Sequence, residues 1–287
     1  MRKVITLAFV FLTFSFASAQ DDLFNQLDSV KSNKKEVETA AFKALQICNI
    51  QSTKLPVRGE LYILISHRFG DLSNGMNNFF GLDNALTKIG GIYGVANWLS
   101  IGVSRHTFNK TYELATKYKL ANQMIGGFPI TIVGYNTMDI NSDLDKAIYP
   151  QLKFNNRLAF TSQLLLSRKF SESFSVEIAP MLVHKNLYDN AIDQKDLYLI
   201  GGGGRYKLSK RLSLNIDYAA RLGSKIEASP YHNPLTVGLD IDTGGHIFQM
   251  VFSNGQPMTD VSFLSNSTGS WEGKKSLYFG FNMYRVF

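Results

Sequence analysis

The sequence has a single cysteine, no long apolar run beyond its first residues, and no block of basic residues. Cys48 has no disulfide partner within the chain, and we interpret it as a small, inert apolar residue. After residue 19 no stretch reaches the ~18 apolar residues of a transmembrane helix, so none is predicted. The 30 Lys and Arg and the 23 Asp and Glu give a net charge of +7, but they are spread along the chain, which argues against nucleic-acid binding.

The motifs of common enzymes are also missing. No Gly-x-Ser-x-Gly is present, and Ser66 and His67 are neighbours in a strand-like run, so they point to opposite faces. The glycine run 201–204 is not followed by Gly-Lys-Ser/Thr, so it predicts a bend or a close approach at a strand and not a phosphate site. We therefore expect no enzyme activity, no catalytic residue and no cofactor.

The N-terminus has the pattern of a cleavable export signal, predicted over residues 1–19. Arg2 and Lys3 precede a short apolar run, and Ala17-Ser18-Ala19 fits the small-x-small cleavage rule, which places the mature start at Gln20. An uncleaved anchor is disfavoured because the run is short for a membrane span. Cys48 is too far downstream to carry the lipid of a lipoprotein.

Residues 20–58 are polar and poorly patterned, and we interpret them as a periplasmic extension. Within them, residues 39–50 are compatible with a strand, a plug segment or a periplasmic helix, and the pattern does not choose among the three.

From residue 59 to the end, apolar and polar residues alternate in strand-length runs. Leu61, Ile63 and Ile65, for example, alternate with Tyr62 and Ser66. A mean hydropathy of −0.07 suits strands that face lipid on one side and a lumen on the other. The fold prediction is an all-β, antiparallel transmembrane barrel over residues 59–287. Its twelve predicted strands are 60–69, 88–95, 98–106, 110–121, 127–137, 154–169, 173–185, 195–208, 211–221, 234–243, 245–253 and 275–287.

The predicted connections alternate between short and long. In bacterial barrels short turns face the periplasm and long loops face outward, and single chains have an even number of strands. A soluble sandwich would lack this alternation. The pattern therefore favours an outer-membrane barrel in a Gram-negative cell.

The C-terminal strand ends on an aromatic residue and has one apolar row. Phe279, Phe281, Met283 and Phe287 share that row, which we interpret as the signal read by the barrel-insertion machinery. Arg285 interrupts the row near the predicted periplasmic boundary, where a long side chain reaches water. Outer-membrane lipid and the insertion machinery are thus the expected partners.

Six short motifs occur in order at 65–70, 79–83, 167–170, 204–211, 243–249 and 285–287. Together they resemble a family of Bacteroidetes outer-membrane β-barrel proteins known only as a domain of unknown function. The resemblance covers most of residues 39–287. It implies a β-barrel in the outer membrane, and it supplies no catalytic or binding residues.

Three histidines near the predicted extracellular strand ends do not suggest a metal site. By strand parity His106 points inward, whereas His67 and His184 point outward, so they do not converge. We expect no metal.

The loop from Gly70 to Thr87 is the strongest candidate for function. Its adjacent Phe79 and Phe80 are compatible with a constriction or ligand stack inside the barrel, and equally with a short amphipathic helix over its mouth; Tyr231 and Trp271 on other loops are further aromatic candidates. The candidates for the lumen or its constriction are Arg68, Asp71, Phe79, Phe80, Asp83, Arg105, His106, Glu113, Lys117 and Arg157.

The leading functional prediction is a narrow channel or uptake protein for a small solute. Its lumen charges alternate in sign, so strong ion selectivity is not implied. The alternative is a barrel without transport that serves a structural role or binds a ligand or partner. The sequence leaves open whether the lumen is open or filled.

Overall fold

The computed structural model describes residues 36–224, 226–272 and 276–287. The predicted export signal, its cleavage site and residues 20–35 lie outside these ranges. In the described part of the chain no helix is long and apolar enough to cross a membrane.

Twelve antiparallel strands close into a barrel, as the alternation predicted. Each strand pairs with its neighbours in sequence, and β1 closes the ring by pairing with β12. The strands are β1 Leu61–Asp71, β2 Leu86–Ala96, β3 Leu99–His106, β4 Thr111–Ala121, β5 Thr131–Asn141, β6 Leu158–Lys169, β7 Phe174–Lys185, β8 Asp196–Lys207, β9 Leu212–Arg221, β10 Leu235–Asp242, β11 His246–Ser253 and β12 Tyr278–Val286.

Among the predicted boundaries that differ from the structure, two strand starts have a local explanation. The fifth strand begins at Thr131 and not at 127, because Pro129 has no N–H for the ladder and Met124 closes a turn by donating to the Phe128 carbonyl. The sixth begins at Leu158, because Phe154–Arg157 form a 3-10 helix. The glycine run 201–204 lies inside β8, where a Cβ on Gly203 would meet the Ile216 carbonyl oxygen at 2.2 Å.

Apart from the short connection 107–110, short and long connections separate to the two ends of the barrel. Five short connections, together with both termini of the barrel, lie at what we call the turn end. Six connections lie at the opposite loop end, and the longest of them joins β11 to β12.

The two faces of each strand differ in burial. In β1, Tyr62, Leu64, Ser66 and Arg68 point inward and are buried. The outward side chains are largely apolar and exposed; Tyr93, Ile101, Val103, Ile178 and Ile200 are examples. An apolar outer face around a polar lumen is the pattern of a barrel in lipid.

The lumen contains a second layer of chain, which we call the luminal segment, residues 41–55. Its residues are buried except Lys43 and Lys54, and it folds into a hairpin-like loop in which Ile47 N–H donates to the Ile50 carbonyl at 2.8 Å and Ser52 N–H to the Leu45 carbonyl at 3.0 Å. Its tip, Cys48 and Asn49, lies deep in the barrel.

The chain enters and leaves the luminal segment at the turn end. Before it, Glu38 N–H donates to the Gln123 carbonyl at 2.9 Å, and Lys169 Nζ lies 3.2 Å from the Glu38 carboxylate. That hydrogen bond from Lys169 lowers the pKa of Glu38, which keeps the carboxylate ionised. After it, residues 56–60 lead into β1 past Gly94, where a Cβ would meet the Val57 carbonyl oxygen at 1.9 Å.

The loop between β11 and β12 also enters the lumen. It contains a short helix, α1, Asp260–Ser265, whose six residues are all buried. Thr259 caps the helix by accepting a hydrogen bond from Ser262 N–H at 3.2 Å. Ile50 and Leu55 of the luminal segment share one apolar cluster with Phe263 and Leu264 of α1 and with inward side chains that include Val133, Leu165, Met181 and Leu199.

Candidate functional site

The tip of the luminal segment is held by one carboxylate. Asp217 points inward from β9, and its Oδ2 accepts hydrogen bonds from the backbone N–H groups of Cys48, Asn49 and Ile50 at 3.0, 2.7 and 2.9 Å. Successive N–H groups directed at one point form an anion-binding concavity, and hydrogen bonds to a charged acceptor are the strong ones. Asp217 therefore anchors the tip against the wall.

Further wall side chains bind the rest of the segment. Lys117 Nζ donates to the carbonyls of Leu45 and Ser52, both at 3.0 Å, and Glu177 Oε2 accepts from Thr53 N–H at 2.9 Å. From the opposite side of the ring, Gln249 donates to the Ile47 carbonyl at 2.9 Å and Asn282 to the Cys48 carbonyl at 2.8 Å.

Six further wall residues bind side chains of the segment: Arg68, Ser167, Thr236, Asp242, Ser253 and Tyr284. Arg68 donates to Asn49 Oδ1 at 2.6 Å, and Tyr284 OH donates to Gln46 Oε1 at 2.6 Å. Thr53 Oγ1 lies 2.5 Å from Ser167 Oγ.

The luminal segment and α1 meet at Asp260. Its carboxylate accepts hydrogen bonds from Gln163 at 2.7 Å and from Gln51 of the luminal segment at 3.1 Å. Beside it, Lys88 forms a buried ion pair with Glu113 at 2.8 Å and donates to the Met258 carbonyl at 3.2 Å. The two elements that fill the lumen are thus joined to each other as well as to the wall.

The space left between the luminal segment and the wall of β1–β5 is small. A cavity of about 40 Å³ remains there, lined by Gln51, Leu64, Lys88, Glu113 and Lys117 among others. A cavity of this volume holds about three waters. At this level the luminal segment occupies the space through which a solute would pass.

Several inward side chains can accept more hydrogen bonds than they receive. Glu113 Oε2, Glu177 Oε1, Asp217 Oδ1 and Asn215 Oδ1 are buried and have no hydrogen-bond partner among the described residues. Buried acceptors of this kind cost free energy unless they are solvated or bound, so the wall is suited to more polar contacts than the luminal segment provides.

Of the predicted lumen residues, Arg68, His106, Glu113 and Lys117 point inward and are buried. Arg105 does not line the lumen. As the neighbour of His106 on one strand it faces the other side, where its guanidinium lies 4.5 Å from the centre of the outward Tyr112 ring. Expecting both Arg105 and His106 in the lumen was therefore wrong.

The remaining predicted lumen residues lie at the loop end. Arg157 donates to the carbonyls of Asn141 and Leu144 at 3.0 and 2.8 Å. Asp71 ends β1, where it accepts from Ser73 N–H at 2.8 Å and from Ser276 Oγ at 2.6 Å, and Asp83 is exposed.

Phe79 and Phe80 lie in the 3-10 element Leu72–Asn84, and they do not enter the lumen. Their rings are 55% and 56% exposed, and both residues have positive φ, 47° and 54°. The expected inward constriction by Phe79 and Phe80 is therefore absent. Instead, the luminal segment and α1 narrow the lumen. There they bury apolar and main-chain groups that would be exposed to solvent in an outer loop.

The outward histidines and the C-terminal row follow strand parity. His67 stacks on Phe281 with ring centres 5.7 Å apart, and His184 lies 2.6 Å from Asp196. Within the described ranges no three His, Cys, Asp or Glu side chains have the geometry of a metal site. On β12, Phe279, Phe281 and Met283 face outward, and the 65% exposed Phe287 lies 5.0 Å from the Arg285 guanidinium.

A comparison with protein families matches residues 42–287 to the model described as a membrane bound beta barrel domain (DUF5777). The chain belongs to this family. It is therefore a membrane-bound β-barrel, which agrees with the closed ring and its apolar outer face. The sequence matches no curated protein.

Solved structures of similar fold include two porins and a channel. A NanC porin is 10% identical and aligns over 79% of this chain and 98% of its own, with a TM-score of 0.49. A KdgM porin is 11% identical over 79% and 99%, with a TM-score of 0.49. The COG4313 outer membrane channel from Pseudomonas putida F1 is 14% identical over 82% and 97%, with a TM-score of 0.46. Likenesses of this degree concern the fold alone.

Proposed function

We propose that this protein is an outer-membrane channel for small polar solutes, closed at rest by its luminal segment. The observation that carries the proposal is the chemistry of the interface between that segment and the wall. Charged and amide side chains hold residues 45–53 by hydrogen bonds, so the wall left behind by a displaced segment is polar. Water and a polar solute can replace such bonds, because the net contribution of one hydrogen bond is about 1 kcal/mol, and about 1.5–3 kcal/mol where one partner is charged.

The export signal predicted over residues 1–19 and the outward row of Phe279, Phe281, Met283 and Phe287 support an outer-membrane address. Such an address makes outer-membrane lipid and the barrel-insertion machinery the partners of the protein. A small solute is the expected cargo.

A second function is favoured by a specific observation. Two separate elements, the luminal segment and α1, fill the barrel and share the apolar cluster around Ile50, Leu55 and Phe263. A filled and partly apolar lumen also suits a structural or ligand-binding barrel that never conducts. The two functions differ in whether the luminal segment moves.

One substitution tests this movement in the full mature chain, residues 20–287. A Cβ built on the inward Gly238 lies 2.8 Å from Cys48 Sγ, close to the Cβ–S separation across a disulfide, which is about 3 Å. Gly238→Cys should therefore form a disulfide that locks the tip of the luminal segment to β10. The matched control, Cys48→Ser with Gly238→Cys, has the same wall substitution and no partner thiol.

Planar-bilayer conductance is the measurement. We expect the unmodified protein to show discrete openings, the oxidised Gly238→Cys protein to be silent, and a reducing agent to restore the openings. The control should conduct regardless of oxidant. Silence from unmodified protein that is verified as folded and inserted would refute the channel and favour the second function, and openings from the locked protein would refute closure by the luminal segment.

A further inference from the structure

The wall of the lumen binds mainly the main chain of the luminal segment. Asp217 accepts from three successive N–H groups and Glu177 from a fourth. Lys117 donates to two main-chain carbonyls, and Gln249 and Asn282 donate to those of Ile47 and Cys48. The wall thus binds nine consecutive residues, 45–53, chiefly through their main-chain N–H and C=O groups, which every peptide has.

These wall groups come from five strands, β4, β7, β9, β11 and β12, and so surround the segment. Each uses a side chain as the partner of a peptide N–H or C=O, which is the chemistry that gives affinity for a peptide independent of its sequence. The hydrogen bonds that depend on sequence are fewer than those to the main chain, and they involve the side chains of Gln46, Asn49, Gln51 and Thr53.

The wall also keeps acceptors that the segment leaves unused. Glu177 Oε1, Asp217 Oδ1 and Asn215 Oδ1 are on side chains at most 2% exposed and have no hydrogen-bond partner among the described residues. Two of them are the second oxygens of carboxylates that already bind main-chain N–H groups. Further N–H donors on a ligand would find acceptors at the same place.

We propose that the lumen is a binding site for short peptides, and that residues 45–53 occupy it as an internal mimic of that ligand. The inference rests on the proposed function in one respect, because a free peptide binds only after the luminal segment moves. Its substrate class is an oligopeptide of similar length with small or uncharged side chains, since Ile50, Leu55 and Cys48 pack against apolar wall residues.

The competing explanation is that any buried segment must have its main-chain groups satisfied. In that case the wall is complementary to this one segment, and no free peptide competes with it. The two explanations differ in whether peptides of unrelated sequence displace residues 45–53.

Cys48 reports that displacement, because it is the chain's only cysteine and is fully buried. The measurement is the rate at which a maleimide labels Cys48 in the refolded mature protein, with each of four additives in turn. These are a peptide of residues 45–53 with serine in place of cysteine, an unrelated peptide of equal length built from Ala, Ser and Gly, the same unrelated peptide with N-methylated main-chain nitrogens, and an oligosaccharide of similar mass.

We expect both unmodified peptides to raise the labelling rate about tenfold, which corresponds to ~1.4 kcal/mol less free energy of closure, and the other two additives to leave the rate unchanged. Equal effects of the methylated and unmodified peptides, an effect of the cognate peptide alone, or no effect of either would overturn the inference. The bilayer measurement separates this failure from that of the channel. If the Gly238→Cys lock abolishes the openings but peptides do not change the labelling rate, the channel is supported and the peptide site is refuted.

Discussion

At the residue scale, the Asp217 carboxylate takes the place of the water that would otherwise solvate three N–H groups at the tip of the luminal segment. No other described wall side chain accepts from more than one main-chain N–H of that segment. The bonds join residues about 170 positions apart in the chain, since Cys48 and Asp217 differ by 169. Asp217 thus links the segment to the barrel at its deepest point.

Asp217→Ala should raise the rate of maleimide labelling at Cys48 by at least tenfold. Without the acceptor three buried N–H groups lose their partner, and one such loss alone costs about 1–3 kcal/mol. Asp240→Ala is the matched control, because it removes another buried inward carboxylate, one that reaches the luminal segment only indirectly, through Gln249. Equal labelling rates in the two variants would contradict an anchoring role for Asp217.

At the element scale, the C-terminal strand β12 has two separate tasks, and the residue that follows it, Phe287, shows the difference. The Phe287 backbone exchanges two hydrogen bonds with Leu61, at 2.9 and 3.1 Å, which extend the pairing that closes the barrel. Its ring is mostly exposed and contacts the Arg285 guanidinium. The backbone therefore serves closure, whereas the ring is available to the insertion machinery that we expect to read it.

Phe287→Ala should slow assembly into membranes severalfold and leave the thermal stability of the assembled barrel nearly unchanged. The backbone pairs survive the substitution, and an exposed ring contributes little burial. Assembly is followed by the shift in gel mobility between folded and unfolded protein, and stability by the temperature at which that shift is lost. Phe170→Ala removes an exposed aromatic from a turn at the same end and serves as the control; an equal slowing by both variants would argue against a terminal signal.

At the scale of the whole molecule, the barrel and its contents are held by different forces. The ring of twelve strands is a continuous ladder of backbone hydrogen bonds that includes no residue of the luminal segment. The contents are held by side chains from the wall and by the apolar cluster around Ile50 and Leu55. The ring can therefore persist when the contents change.

Replacing residues 41–55 by a Gly/Ser linker of equal length should give a barrel that still assembles and conducts steadily. The linker has neither Ile50 nor Leu55, each of whose burial contributes about 1.5–3 kcal/mol, so a lower melting temperature is expected as well. Conductance of the refolded variant is compared with that of the unmodified protein. A variant that assembles normally and remains silent would show that α1 alone closes the lumen.

Much of the barrel was predictable because its signals are local. A side chain's face follows from period-two alternation, which placed Arg68, His106, Glu113 and Lys117 inward, and Pro129 explains the shifted start of the fifth strand. The same rule, applied strictly, excludes Arg105 from the face of His106. The twelve strands and the alternation of connection lengths likewise follow from neighbouring residues.

The contents of the lumen were decided by the tertiary structure alone. Residues 39–50 have no regular period, so the sequence left them compatible with a strand, a plug or a helix, and nothing in the loop 254–274 indicated that Asp260–Ser265 would be buried. Their positions depend on main-chain groups meeting Asp217, Lys117, Glu177 and Gln249, and these side chains come together only once the ring has closed. Alternation along one strand fixes a face locally, whereas the main-chain hydrogen bonds that join residues 45–53 to side chains of five distant strands exist only in the folded barrel.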